Sequence, residues 1–201
     1  YDYVRPQTQS YNGDIVSIKT TDALKNQIDT LIKDTGTTEY MVLLSSFMML
    51  MGKYSRQEDI IIGSPVSGRT HRDMENMLGM FVNTLAMRGK PELNKRYKQF
   101  LSEIKTSCIK SYENQEYPFE DLIDLVQVKR DLSRNPLFDV MFILQNNEDT
   151  EIDMNGVNPT SGLHGEHTVS KFDITVSVKS TENSYNIIFE YCTDLFKKES
   201  I

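Results

Sequence analysis

The spacing of apolar residues changes several times along the chain, and each change marks a predicted element. From Thr21 or Asp22, the residues Leu24, Ile28, Leu31 and Ile32 recur every three or four positions, which predicts an amphipathic helix stopped by Gly36. A second helix is predicted from Thr38 to Met51, apolar on almost every side and therefore buried. The β-branched run IIIG at 60–63 reads as a central strand covered on both faces and ended by Ser64 and Pro65. Residues 81–88 alternate as a strand, with Phe81, Asn83, Leu85 and Met87 on one face and Val82, Thr84, Ala86 and Arg88 on the other.

Helical spacing returns between Leu93 and Tyr112, through Tyr97, Leu101, Ile104 and Cys108. A shorter helix should follow Pro118, with Glu120 and Asp121 complementing its dipole. LFDVMFIL (137–144) predicts a strand, and FDITVSV (172–178) with YNIIFEY (185–191) predicts an antiparallel hairpin around the polar STENS. The opening 1–14 reads as a linking segment, with Pro6 restricting Arg5 and a turn at Asn12-Gly13. Residues 146–170 show no period and read as loop, and TDLFKKESI (193–201) reads as the start of a helix. Strands interleaved with long helices predict an α/β fold, a layered α/β sandwich.

Composition narrows the functional classes. A net charge of −7 over 201 residues argues against nucleic acid, and any acidic protein partner would need a local basic patch. YMVLLSSFMMLM (40–51) is far short of a membrane span, so no membrane partner is expected. Two distant cysteines, Cys108 and Cys192, do not form a disulfide framework and suit a reduced, cytoplasmic protein. The first residue is Tyr1 and not Met, which leads us to expect a fragment or processed product.

Candidate chemistry lies where polar groups interrupt apolar frames. Asn83 shares a strand face with large apolar residues and needs a hydrogen-bonding partner, which on the residue alone is first sought in a neighbouring backbone loop and otherwise in a substrate. SPVSGR (64–69) directly follows a strand, where α/β folds often bind ligands, although a plain turn has the same composition. RDLSRNPLFD (130–139) reads on its own as a solvated charged turn, and NQEYPFEDL (114–122) as a helix start. His164 and His167 in HGEH lack a third ligand and an ordered support, so no metal site is assigned. HExxH, P-loop, GxGxxG and GxSxG motifs are absent.

Taken in order, EDIIIGSPVSGR, LGMFVNTLAMR, NQEYPFEDL and RDLSRNPLFDVMF resemble the later signature motifs of the condensation domains of nonribosomal peptide synthetases. YDYVRP, TTEYMVLLSSF, SKFDITVSV and FEYCTDLF extend the resemblance over nearly the whole chain. The catalytic HHxxxDG of that family does not occur in these 201 residues. The resemblance therefore implies residues 1–201 as the C-terminal lobe of a two-lobe, chloramphenicol-acetyltransferase-like fold, with the N-terminal lobe as its partner.

It implies amide formation between a donor aminoacyl or peptidyl thioester and the amine of an acceptor aminoacyl thioester. Both would be carried on phosphopantetheine arms of donor and acceptor peptidyl carrier proteins, with a neighbouring adenylation domain and no cofactor bound to this chain directly. The isolated chain is expected to be inactive. Asn83 is implied as a positioning group for substrate or histidine, and Arg69 as the arginine opposite the HHxxxDG aspartate, hydrated while that partner is absent. Ser64, Tyr117, Asp131 and Arg134 are implied at the substrate channel or between lobes. RDLSRNPLFD with EYPFE looks closest to the subtype taking an L-configured donor. A stand-alone carrier-docking scaffold and a fragment of an epimerisation domain or related acyltransferase remain alternatives. Self-association through the exposed lobe interface is a further expectation.

Overall fold

The structure, a computed structural model, describes residues 1–145 and 169–201. Their elements in chain order are β1 (Gly13–Lys19), α1 (Asp22–Thr35), α2 (Glu39–Ser55), β2 (Ile60–Val66), β3 (Asn83–Gly89), α3 (Tyr97–Glu113), α4 (Phe119–Val126), β4 (Val140–Gln145), β5 (Ile174–Ser180) and β6 (Tyr185–Cys192). The strands form one mixed sheet in the order β1-β6-β5-β4-β2-β3. β4 runs parallel to both β5 and β2, while the other neighbours are antiparallel.

Thr21 caps α1 and Thr38 caps α2, each hydroxyl accepting an amide of the first turn at 3.3 Å. The apolar character of α2 is explained by its position: Leu44 and Met48 are fully buried against β2, β3 and α3. Each such side chain stabilises the fold by about 1.5–3 kcal/mol. Gly89, the register partner of Ile60, sits under Met48, Phe100 and Ile104, which places the helices on the sheet face that carries Ile60 and Ile62. Gly63 faces the other way, and the Phe138 ring fills the space that a side chain would need, 2.1 Å from an ideal Cβ.

Several expectations change. The Asn12-Gly13 turn is instead the start of β1, paired along its length with β6 from Gly13 opposite Cys192 to Lys19 opposite Asn186. Ser64 and Pro65 do not end β2, which runs on to Val66; Pro65 lies beyond Gly63–Met141, where β2 meets β4. α3 begins at Tyr97, leaving Leu93 exposed. Leu24 is exposed and Lys25 buried, so the inner stripe of α1 is centred one residue further on than the apolar spacing suggests. Residues 193–201 form hydrogen-bonded turns and not a helix. The predicted loop at 146–170 lies outside the described residues except for its last two, of which Val169 bridges Asn12.

Residues 1–12 form a strap along the lower edge of the sheet. The Asp2 and Tyr3 amides donate to the Leu195 carbonyl, and the Asp2 carboxylate accepts from the Lys197 amide and the Ser200 hydroxyl, both at 2.9 Å. No helix among the described residues is long and apolar enough to cross a membrane.

Candidate functional site

The four polar-in-apolar segments meet around β2, β3 and the start of α4. Asn83, at the first position of β3, donates from Nδ2 to the Gln115 and Tyr117 carbonyls, each at 2.8 Å. Its Oδ1 accepts from the Phe119 amide at 3.2 Å and the Thr84 amide at 2.9 Å. The carboxamide thus ties β3 to the turn that starts α4, where no side-chain cap is present. Thr70 Oγ1 donates to Glu116 at 2.7 Å, joining the segment after β2 to the same turn. Phe119 packs on Phe138 with ring centroids 5.4 Å apart, which brings RDLSRNPLFD to the group.

Arg69 is partly buried and is engaged by its own loop. Its guanidinium donates to the Met74 carbonyl and, at 3.3 Å, to the Gly79 carbonyl, and it lies 4.6 Å over the Phe81 ring. Gly68 holds this loop closed: its φ is 65° and a Cβ would fall 1.7 Å from the Phe81 carbonyl oxygen. Ser64 is buried, and its hydroxyl donates to the Phe142 carbonyl at 3.0 Å, so in this chain it ties β2 to β4. The Tyr117 side chain is half exposed beside the Asn83 contacts.

Asp131 accepts from the Ser133 amide and hydroxyl at 2.8 and 2.7 Å, and these bonds hold its carboxyl below the usual range. Arg134 reaches Asp139 at 3.5 Å. Burial, and then the nearby Asp173, push the Asp139 carboxyl up. Its Oδ1 is buried with no hydrogen-bond partner among the described residues.

Sequence reasoning missed Arg5 and Asp173. Arg5 forks onto both Asp173 oxygens, one at 3.1 Å, and also donates to the Ser133 carbonyl at 2.9 Å and the Tyr1 hydroxyl at 2.7 Å. Burial opposes the Arg5 charge, but the bonds to Asp173 and Tyr1 outweigh it and hold the guanidinium charged. The available signal was Asp173 itself, a carboxylate between Phe172 and Ile174 in an otherwise apolar frame.

An open groove of about 620 Å³ runs beside this cluster, lined among others by Lys129, Arg130, Asp131 and Arg134. It is a locally basic surface on an acidic chain. Burial pushes the Cys108 thiol up to about 11 and the Tyr112 hydroxyl up to about 12. His71 is exposed beside Asp73 and directly follows Thr70. The described residues contain no cluster of three or more potential metal ligands, and His164 and His167 lie outside them. Among the described residues, the site offers hydrogen-bonding groups from Asn83 and cations along the groove.

The family model for the condensation domain matches residues 1–201. Gramicidin S synthase 2 of Aneurinibacillus migulanus is 46% identical over 201 residues, and bacitracin synthase 3 of Bacillus licheniformis is 42% identical over 200. Both alignments cover 100% of this chain but only 4% and 3% of those synthases. A holo four-domain nonribosomal peptide synthetase solved with AMP and glycine superposes with a TM-score of 0.86 at 25% identity, over 99% of this chain and 16% of that one. The first condensation domain of the calcium-dependent antibiotic synthetase, solved with a substrate analogue, shares the fold with a TM-score of 0.74 at 12% identity, over 97% of this chain and 43% of that one. The chain belongs to the condensation-domain family of the nonribosomal peptide synthetases.

Proposed function

We propose that residues 1–201 are the C-terminal lobe of a condensation domain that joins a donor aminoacyl or peptidyl thioester to the amine of an acceptor aminoacyl thioester. The observation that carries this reading is the assembly of four segments, far apart in sequence, into one wall with Asn83 at its centre. That wall offers hydrogen-bonding and cationic groups, and the HHxxxDG histidine that would complement them is absent from the sequence of residues 1–201. The coverage of only 43% of a solved condensation domain supports the same division.

In the complete domain, the amine attacks the thioester carbonyl, a tetrahedral oxyanion collapses, and the thiol of the donor arm leaves. Most of the acceleration would come from orienting two tethered reactants and stabilising the oxyanion. A phosphopantetheine arm supplies the thioester. The groove at Lys129, Arg130 and Arg134 fits its phosphate by charge and size and would be part of the docking surface for an acidic carrier protein. Arg69, already ordered by its own loop, would present its remaining donor capacity to the aspartate of HHxxxDG.

The test supplies donor and acceptor carrier proteins loaded with amino acids and looks for dipeptidyl thioester by mass spectrometry. We expect no product from this chain alone and product once the matching N-terminal lobe is added. Product from the chain alone would overturn the division of labour. No product from the joined lobes would overturn the function.

A further inference from the structure

Gly63 leaves a gap in the sheet face opposite α1–α3, and three rings gather over it. Phe138 covers the glycine, packs on Phe119 at 5.4 Å and stacks on Phe172 at 5.8 Å. The rings do not close the space between them. A pocket of about 90 Å³ remains, walled by these three rings and Met141, with Thr84 and Asn135 as its polar lining. This partly open space among large side chains next to the Asn83 clamp has room for an occupant. The walls are mainly hydrocarbon and would hold water poorly. Asn135, one of the two polar residues, already directs its amide to the Lys171 carbonyl at 3.2 Å.

Asn135 and Pro136 line both this pocket and the basic groove, so the two cavities adjoin. A ligand that spans them carries an anion at one end and an apolar group at the other. Size narrows the apolar end. A dry cavity of about 150 Å³ holds benzene, so a space of about 90 Å³ suits a branched aliphatic group of three or four carbons better than an aromatic ring. We propose that this pocket receives the side chain of a carrier-bound aminoacyl group and selects valine- or leucine-sized side chains over aromatic ones. This rests on the condensation reading above.

The direct test needs no turnover. N-acetyl-leucinamide and N-acetyl-phenylalaninamide are titrated into the chain while the ¹³C-methyl resonance of Met141 is followed by NMR. The leucine probe should shift Met141 saturably, the phenylalanine probe should not, and Thr84→Leu, which fills the mouth, should weaken the leucine response about 10-fold or more. No saturable shift, an equal shift with both probes, or a shift unaffected by Thr84→Leu would each overturn the pocket assignment. Turnover by the joined two-lobe domain separates this inference from its premise. Absence of product with any aminoacyl carrier overturns the condensation reading, whereas product with the same leucyl-to-phenylalanyl ratio in wild type and Thr84→Leu overturns the pocket alone.

Discussion

At Asn83, one carboxamide uses both of its donors and its acceptor on backbone groups of four other residues. Truncation to alanine would leave the Gln115 and Tyr117 carbonyls and the Phe119 amide without this partner, a loss of about 1–3 kcal/mol. Asn83→Asp should be worse at neutral pH, because a carboxylate would face those two carbonyl oxygens. Urea unfolding of both variants checks this, and a change within about 0.5 kcal/mol for the alanine variant would show that the backbone bonds contribute little. Asp139 makes the opposite case. Burial and Asp173 raise its carboxyl pKa above the ordinary value, so the folded state binds this proton more tightly than the unfolded chain. Its contribution is favourable at low pH and is lost as pH rises through the folded value. Asp139→Asn, which keeps the shape and removes the charge, should therefore gain stability relative to wild type at pH 7, with the gain fading toward pH 4. The lost contact to Arg134 offsets little, since that arginine is 41% exposed.

The packing of α1 on α2 and β6 depends on a polar contact inside an apolar frame. Lys25 reaches Glu39 at 2.7 Å, Asp29 at 3.1 Å and the Tyr185 hydroxyl at 3.2 Å. Burial alone would raise the Glu39 carboxyl, yet hydrogen bonds from Lys25, Tyr185 and Ser180 hold it below its ordinary 4.5. The stability from this carboxylate is present above 4.5 and is lost as pH falls through the lowered folded value. Lys25→Met should destabilise the chain by about 1–3 kcal/mol at pH 7. The difference from wild type should shrink as the pH drops below 4.5, which thermal melts across that range would show. This contact also marks where sequence reading fails. Apolar spacing selects Leu24 for the inner stripe of α1, but Glu39 and Tyr185 stand opposite Lys25, and nothing within α1 reports them. β1 escapes for a related reason: it is an edge strand with Ile15 on one face and Val16 and Ile18 on the other, so no clean alternation betrays it, and Asn12-Gly13 reads as a turn. By contrast, α2 and the β5–β6 hairpin are legible because burial on both sides, or on one, imposes its own period. The candidate site is legible as four motifs, while their junctions, 32 to 36 residues apart at Asn83, are tertiary.

For the molecule as a whole, the strap ties the first residues of the chain to the 131–135 turn, to Asp173 ahead of β5 and to the turns at 193–201. Arg5 and Asp173 are 15% and 10% exposed, and removing one partner of a buried pair costs about 3–5 kcal/mol, somewhat less where water still reaches both. Arg5→Ala should lower the unfolding free energy by an amount in that range, read by denaturant titration. It should also loosen the 131–135 turn, because the Ser133 carbonyl loses its donor. The contacts of the strap with β5 and with the turns at 193–201 span 168 to 198 residues, whereas β5 and β6 are separated by only the four residues 181–184. Closing a loop of that length is entropically far more demanding than closing a hairpin, so the hairpin can form early and the strap has to wait for the rest. The basic groove shares the turn that the strap holds, and so it should take its final shape late in folding and lose it early in unfolding.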